Sequence, residues 1–344
     1  MPDYPQEYKS VAQGQALLQQ GRWELAIAAF NEAIRSNSKF AAAYYYRGIT
    51  YRNLGNIQQA QTDYEQAITI DPEYAAAYYG KGVLLRQSGK YYEAILAYNQ
   101  AIDLLGNDPD FFYARGVCHA SLSHYDQAID DFKSALNCNP DMPNALYNLG
   151  IAYRDLGQRD VALEYYRQAI RLRPGDPDYR YALGNLYSDL GEYSEAIVEY
   201  GEALAIIPAF ANAFYNRGIA QHNLGYFDDA ISDFDAALDS GLHSANLFMN
   251  RAISKSALDL SVDAARDFES ALELESNQSN IWREKGRLLV KLGELEAALD
   301  VYNKAISINP DVASYYTERS NIYEYMGLLD KARKDRIVFE DLQN

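Results

Sequence analysis

Tyrosine recurs every 34 residues through the first two thirds of the chain. A tyrosine ring offers a rigid apolar surface, and its hydroxyl can donate or accept a hydrogen bond, which suits recognition of a peptide or a helix. We call this set the tyrosine column; its members are Tyr45, Tyr79, Tyr113, Tyr147, Tyr181 and Tyr215.

Two other polar sets share the same spacing. Arg52, Arg86 and Arg154 each follow a tyrosine of the column by seven residues. A guanidinium can bind a carboxylate through two parallel hydrogen bonds, so these arginines are candidates for holding an acidic group. Asn148, Asn216 and Asn250 occupy the position directly after the column.

Residues typical of catalysis or metal binding do not form a constellation. The four histidines (His119, His124, His222 and His243) are scattered, and no two have metal-ligand spacing with a third ligand. There is no phosphate-binding loop and no nucleophile elbow, and two cysteines are too few for a disulfide framework. The sequence therefore predicts a protein that is not an enzyme and that needs no cofactor or metal.

The spacing belongs to a repeat that runs through the whole chain. An alanine column in steps of 34 residues is unbroken from Ala26 to Ala332, and a glycine column runs from Gly48 to Gly286 with one alanine in it. After a polar lead-in, residues 1–6, we expect a single domain over 7–344. Its ten repeats are 7–40, 41–74, 75–108, 109–142, 143–176, 177–210, 211–244, 245–278, 279–312 and 313–344. Numbered within a repeat, the tyrosine column is position 5, the asparagines position 6 and the three arginines position 12.

Each repeat has the pattern of two helices. Positions 4, 8 and 11, and again 20, 24 and 27, carry core residues at helical spacing. Glycine at position 15 in eight repeats predicts a left-handed turn between the two helices, and proline at position 32 or 1 marks the junction between repeats. The sequence thus predicts an all-α chain in which helix A, a glycine turn and helix B alternate.

The small and large columns predict how the helices pack. Glycine at position 8 and alanine at positions 20 and 27 allow close approach, and an aromatic ring at position 24 fills the remaining space. Position 7 is basic in seven repeats: Arg47, Lys81, Arg115, Arg217, Arg251, Lys285 and Arg319. We expect their stems to lie on the core and their charged groups to reach solvent or an acidic partner.

The fifth repeat carries a nearly complete family signature: Leu146, Leu149, Gly150, Tyr153, Gly157, Ala162, Tyr166, Ala169 and Pro174. These residues resemble the tetratricopeptide repeat (TPR) family, and the resemblance covers residues 7–344. It implies an α-solenoid, a right-handed superhelix of antiparallel helix pairs whose concave groove is lined by the A helices.

Positions 2, 5, 9, 12 and 13 form one contiguous arc beside the core positions of helix A. The resemblance places that arc on the groove, which favours a scaffold that binds a peptide or helix of a partner protein there. It also implies that the asparagines hold the backbone of an extended peptide. Alternatively, the tyrosines only pack between adjacent A helices. Family members that bind the C-terminal tails of chaperones carry Lys at position 5 and Asn at position 9 of one repeat, Asn at position 6 of the next, and Lys at position 2 and Arg at position 6 of the third. No three consecutive repeats here match this pattern, which argues against a chaperone tail as the partner.

The net charge of −17 argues against nucleic acid or an anionic membrane as the main partner. The sequence contains no run of 18 apolar residues, so it predicts no membrane span, and it shows no secretory signal. We therefore expect a cytoplasmic protein. A self-assembling protein that forms homo-oligomers through its ends or convex face is the alternative function. The sequence does not specify the partner.

Overall fold

The computed structural model describes residues 5–343, and over this range the chain forms twenty α-helices and no strand. The predicted all-α architecture is confirmed. Residues 1–4 of the predicted lead-in lie outside the described residues, and the first helix begins at Gln6. The chain divides into two compact units, an N-terminal unit that ends at Pro174 and a C-terminal unit that begins at Gly175.

Each unit contains five helix pairs. In the N-terminal unit the helices are α1 (Gln6–Gln19), α2 (Trp23–Ser36), α3 (Ala41–Asn53), α4 (Ile57–Ile70), α5 (Ala75–Gln87), α6 (Tyr91–Leu104), α7 (Pro109–Ser121), α8 (Tyr125–Cys138), α9 (Pro143–Asp155) and α10 (Arg159–Leu172). In the C-terminal unit they are α11 (Pro177–Asp189), α12 (Tyr193–Ile206), α13 (Ala211–Asn223), α14 (Phe227–Asp239), α15 (Ala245–Ala257), α16 (Ser261–Leu274), α17 (Ser279–Lys291), α18 (Leu295–Ile308), α19 (Ala313–Tyr325) and α20 (Leu329–Asp341). The odd-numbered helices are the A helices and the even-numbered ones are the B helices.

The turn between helix A and helix B is left-handed in every repeat. The eight glycines at position 15 have φ between 71° and 81°, as their pattern predicts. In the two repeats without glycine, Ser123 and Asp259 take the same conformation, with φ of 59° and 60°. The backbone of the repeat thus enforces the turn even where a side chain makes it costly.

In eight of the ten repeats the core contains an aromatic ring packed against a glycine. A Cβ atom added at Gly150 would lie 2.5 Å from the Tyr166 ring, so only glycine allows this approach. Ala162 and Tyr166 have no solvent exposure, and the same positions are buried in the other repeats, except that the exposed Arg336 takes the place of the ring in the tenth. The predicted alternation of small and large side chains is therefore confirmed.

Six of the seven basic residues at position 7 join consecutive repeats through a polar contact with the preceding B helix. Arg47 donates to both carboxylate oxygens of Asp63, at 2.8 and 2.6 Å, and to Asn31 Oδ1 at 2.5 Å. Asp63 belongs to the B helix of the same repeat, whereas Asn31 belongs to the B helix of the preceding one. Equivalent pairs with the buried aspartate are Arg115–Asp131, Arg217–Asp233, Arg251–Asp267 and Arg319–Asp335. Of the two expectations for these charges, the acidic partner is the one observed.

Candidate functional site

All six members of the tyrosine column lie on A helices and are half-buried. Each ring packs against the position-24 ring of its own repeat, with centroids 5.8–6.1 Å apart. Four of the tyrosines belong to the N-terminal unit, and Tyr181 and Tyr215 belong to the C-terminal unit. The tyrosine column therefore packs against the core, and part of each tyrosine remains exposed to solvent.

The three predicted asparagines contact the tyrosine column directly. Asn148 Nδ2 donates to the Tyr113 hydroxyl at 3.1 Å. In the C-terminal unit, Asn216 and Asn250 donate in the same way to the hydroxyls of Tyr181 and Tyr215, both at 2.9 Å. Each bond joins an A helix to the next A helix, because donor and acceptor are 35 residues apart.

Burial and hydrogen bonding shift the pKa of individual tyrosines in the column. Burial raises the pKa of Tyr113 and of Tyr215, and the amide donors Asn148 and Asn250 offset only part of that rise. Burial likewise raises the pKa of Tyr79. The hydroxyls of Tyr79, Tyr113 and Tyr215 therefore stay protonated at neutral pH. Those of Tyr113 and Tyr215 can each donate a hydrogen bond outward while they accept one from an asparagine.

The three position-12 arginines fall into two classes. Arg154 donates from Nε and Nη2 to the carboxylate of the adjacent Asp155, at 2.9 and 2.8 Å. Arg52 and Arg86 are half-buried, and no carboxylate in residues 5–343 forms an ion pair with either of them. The structure therefore separates these two arginines from Arg154.

Polar residues of the C-terminal unit line two small cavities on the same helix face. In the first, of about 270 Å³, the Tyr200 hydroxyl donates to Asn185 Oδ1, and Asn216 donates to the same oxygen, both at 2.8 Å. In the second, of about 170 Å³, His222 Nδ1 lies 2.9 Å from Ser254 Oγ. Burial lowers the pKa of His222, so this imidazole is neutral at neutral pH.

One further cluster was not predicted from the sequence. In the last two repeats, Glu318 accepts hydrogen bonds from Arg283, Arg287 and the Tyr302 hydroxyl, at 2.5–3.4 Å, beside a cavity of about 650 Å³. Burial acts to raise the pKa of Glu318, but these donors outweigh it and hold that pKa below its ordinary value. Arg283 and Glu318 are 35 residues apart, as are the tyrosine–asparagine pairs, and this spacing was the signal available in the sequence.

Two negative findings apply to the described part of the chain. No group of three or more His, Cys, Asp or Glu residues there is arranged to hold a metal ion. No helix among those residues is both long enough and apolar enough to cross a membrane.

Family models described as "TPR repeat" and "Tetratricopeptide repeat" match residues 14–55, 47–110, 110–175, 165–198, 184–225, 211–240 and 286–327, and together they cover 14–240 and 286–327. No curated protein matches the chain.

Several solved structures share the fold. The C-terminal part of a TPR repeat-containing protein from Cytophaga hutchinsonii is 18% identical, with a TM-score of 0.60 over 70% of this chain and 98% of that one. A tetratricopeptide repeat protein from Parabacteroides merdae is 20% identical, with a TM-score of 0.53 over 72% of this chain and 98% of that one. A chain of the APC/C hetero-tetramer Cut9–Hcn1 is 13% identical, with a TM-score of 0.52 over 98% of this chain and 81% of that one. With helix pairs in a 34-residue period and family matches over most of its length, the chain belongs to the tetratricopeptide repeat family.

Proposed function

We propose that this protein is a non-enzymatic scaffold that binds an extended or helical segment of a partner protein along its A helices. The observation that carries the proposal is the half-buried tyrosine column, whose rings all pack on the position-24 ring of their own repeat. Tyr113, Tyr181 and Tyr215 also accept a hydrogen bond from the next A helix. A rigid ring with an accessible edge loses little conformational entropy on binding, so it contributes more of its contact energy to affinity.

The family supports the same class of function. TPR proteins are typically interaction scaffolds, and one of the similar structures is a subunit of the APC/C hetero-tetramer. The scaffold proposed here would use protein partners rather than nucleic acid, given the net charge of −17. A cytoplasmic location stays a prediction from the sequence.

A matched pair of variants tests the role of the column. Tyr79→Ala combined with Tyr113→Ala removes two rings of the column from the N-terminal unit. Tyr92→Ala removes an exposed tyrosine of helix α6 and serves as the control. Partners are captured from an extract of the native cells with the wild-type protein, identified by mass spectrometry, and then titrated against all three proteins by calorimetry.

We expect the double variant to lose at least tenfold in affinity for a directly bound partner and the control to keep it, because truncating aromatic anchors at the centre of an interface typically costs more than about 1.4 kcal/mol. Unchanged affinity of a double variant that keeps its helical circular dichroism would refute the proposal.

A second candidate function is self-association through the last helix pair, and a specific observation favours it. Tyr325, Leu329 and Ile337 of α19 and α20 are largely exposed and apolar, which is typical of a protein interface. Light scattering decides the matter. An oligomer that Leu329→Glu dissociates supports this function, and a monomer at high protein concentration excludes it.

A further inference from the structure

A cavity of about 650 Å³ lies between the last two repeats, within the C-terminal unit. Most of its wall is apolar. The buried Ile322 and the buried ring of Tyr302 line it, together with the half-buried Leu295 and the exposed Val290. This volume is in the range of pockets that hold a small molecule or a large side chain. The wall therefore favours an apolar occupant.

The residue at position 9 explains why space is open here. In the eighth repeat this position is Ile253, which packs against the cluster that contains the position-24 ring of Phe268. In the ninth repeat it is Arg287, whose guanidinium donates to Glu318 at 2.7 Å. An aliphatic side chain that packs on the ring is thus replaced by one that pairs with a carboxylate, and the ring of Tyr302 faces a cavity.

The charged groups at this cavity neutralise one another. Glu318 accepts hydrogen bonds from Arg283 and Arg287, at 2.5 and 2.7 Å. Arg287 also donates to Glu284 at 3.1 Å. Two guanidinium groups thus face two carboxylates, and neither sign is in excess. A charged occupant would lose its hydration on entry without gaining a free counter-charge, so the cavity favours a neutral one.

The chain itself displays a fitting group at the rim of the same cavity. Asn321 lines the cavity and is exposed, so its amide can bond to a hydroxyl on an otherwise apolar occupant. Tyr325 also lines the cavity but is 83% exposed, so its ring does not fill the cavity of its own chain. Leu328 and Leu329, directly after the end of α19, are exposed as well. A ring and a matching cavity on one surface make that surface self-complementary, as a two-fold interface requires.

The distribution of charge favours a second copy of the chain at this surface. Of the 48 acidic and 31 basic residues, 11 and 10 lie in residues 279–344, so this segment carries only −1 of the net charge of −17. The rest of the chain carries the excess negative charge and repels an identical copy. The last two repeats can therefore meet their own counterparts without that repulsion.

We infer that two copies of this chain dock through their last two repeats, with Tyr325 of each copy seated in the cavity of the other. The inference rests on the self-association proposed above as the second function, and it specifies the contact. The Tyr325 ring lies on Tyr302 and Ile322 of the second copy, and its hydroxyl bonds to Asn321 there. Two rings and their flanking leucines make a small interface, so we expect a reversible dimer with a dissociation constant in the micromolar range.

Analytical ultracentrifugation over a wide range of protein concentration tests the inference. Tyr325→Ala removes the ring and leaves the cavity, whereas Val290→Trp fills the cavity from its rim and leaves the ring. Tyr226→Ala removes another exposed tyrosine of the C-terminal unit and is the matched control. Because all three side chains are exposed, we expect each variant to fold, and helical circular dichroism checks this.

A reciprocal contact makes a specific prediction for mixtures. A homodimer of Tyr325→Ala or of Val290→Trp lacks both ring contacts. We expect its dissociation constant to rise by at least about a hundredfold, because loss of one central aromatic anchor typically costs about tenfold or more. In a mixture of the two variants, the ring of one can enter the intact cavity of the other, which restores one contact. The mixed pair should therefore associate about tenfold more tightly than either variant alone, and Tyr226→Ala should dimerise like the wild type.

The inference and the self-association fail in different ways. If Leu329→Glu dissociates a wild-type dimer but Tyr325→Ala does not, self-association stands and the inference is overturned. A mixed pair no tighter than the two variants alone also overturns the reciprocal contact. A wild type that stays monomeric at high concentration overturns both. If Val290→Trp then lowers the affinity for a captured partner, the cavity holds a residue of that partner instead.

Discussion

The contact between a glycine and an aromatic ring in the sixth repeat allows a sharp test of how these helices pack. Gly184 of α11 faces Tyr200 of α12, and a Cβ atom added at Gly184 would lie 2.7 Å from Cε1 and 2.8 Å from Cδ1 of the ring. Carbon atoms in favourable contact are about 3.5–4.0 Å apart. The Tyr200 ring is only 1% exposed, so Gly184→Ala must displace the ring from its packed position or push the two helices apart.

The expected size of the effect follows from two opposing terms. Replacing glycine by alanine inside a helix stabilises it by about 0.5–1 kcal/mol. Overpacking a filled core costs about 1–3 kcal/mol. We therefore expect Gly184→Ala to lower the free energy of unfolding of its repeat by about 1–2 kcal/mol. The matched control is Gly201→Ala on α12, where the added Cβ atom would meet only Arg217 Nη1 at 3.7 Å, an ordinary contact. The same substitution should stabilise there by about 0.5–1 kcal/mol.

Hydrogen exchange of the α11 and α12 amides is the appropriate assay, because long repeat arrays do not always unfold in one cooperative step. It reports the free energy of local opening at each helix, and urea unfolding followed by circular dichroism gives the sum. Gly184→Ala should lower the free energy of local opening, and Gly201→Ala should raise it. If Gly184→Ala protects the amides of α11 as well as Gly201→Ala protects those of α12, the ring does not limit the approach of the helices.

Three further predictions concern single side chains of the N-terminal unit. Asp131→Asn should lower stability in urea by about 1–3 kcal/mol, because it leaves the half-buried charge of Arg115 without its carboxylate, whereas a change of the exposed Asp130 to Asn should stay within about 0.5 kcal/mol. Ser123→Gly should stabilise by about 1 kcal/mol in thermal melts, because a side chain at φ of 59° is strained. Burial raises the pKa of Tyr64 to about 12, above the ordinary value of 10.0. The contribution of the neutral Tyr64 side chain to folding stability is therefore complete below pH 10 and is lost as the pH rises from 10 to 12, where the unfolded chain releases this proton first. Circular dichroism and tyrosinate absorbance should show this loss, and Tyr64→Phe should reduce it.

The repeat architecture could be predicted from the sequence because each of its features is set by local chemistry that recurs. Glycine at position 15 has to supply a left-handed turn, and glycine at position 8 has to admit a ring, whatever the rest of the chain does. Because the repeats have a fixed length, the same conformation can also be predicted at repeat positions where the residue type gives no signal. Ser123 has no turn signature, yet it takes the turn conformation because the helices on either side are those of every other repeat.

The roles of the polar residues could be predicted only in part, because a helical wheel gives direction but not distance. It put Arg52, Arg86 and Arg154 on one face, but it could not show that Arg154 is neutralised by a neighbour while the other two are not. The relevant signal was the residue after each arginine, which is Asp155 in one case and the uncharged Asn53 or Gln87 in the others. For the asparagines, the family resemblance implies contact with a peptide backbone, which stays a prediction, and the structure adds that they donate to tyrosine hydroxyls.

Position 5 of one repeat and position 6 of the next form the same type of contact with different chemistry. In Tyr113–Asn148 a neutral hydroxyl accepts from an amide, and in Arg283–Glu318 a guanidinium donates to a carboxylate. Both contacts join consecutive A helices at the level of the half-buried face, so packing between repeats and display of the column are not alternatives. The bond that fixes the spacing of two A helices also fixes the orientation of a ring that remains partly exposed. A surface ordered in this way before a partner arrives requires less ordering on binding, which is the physical reason to expect recognition at this face rather than on the B helices.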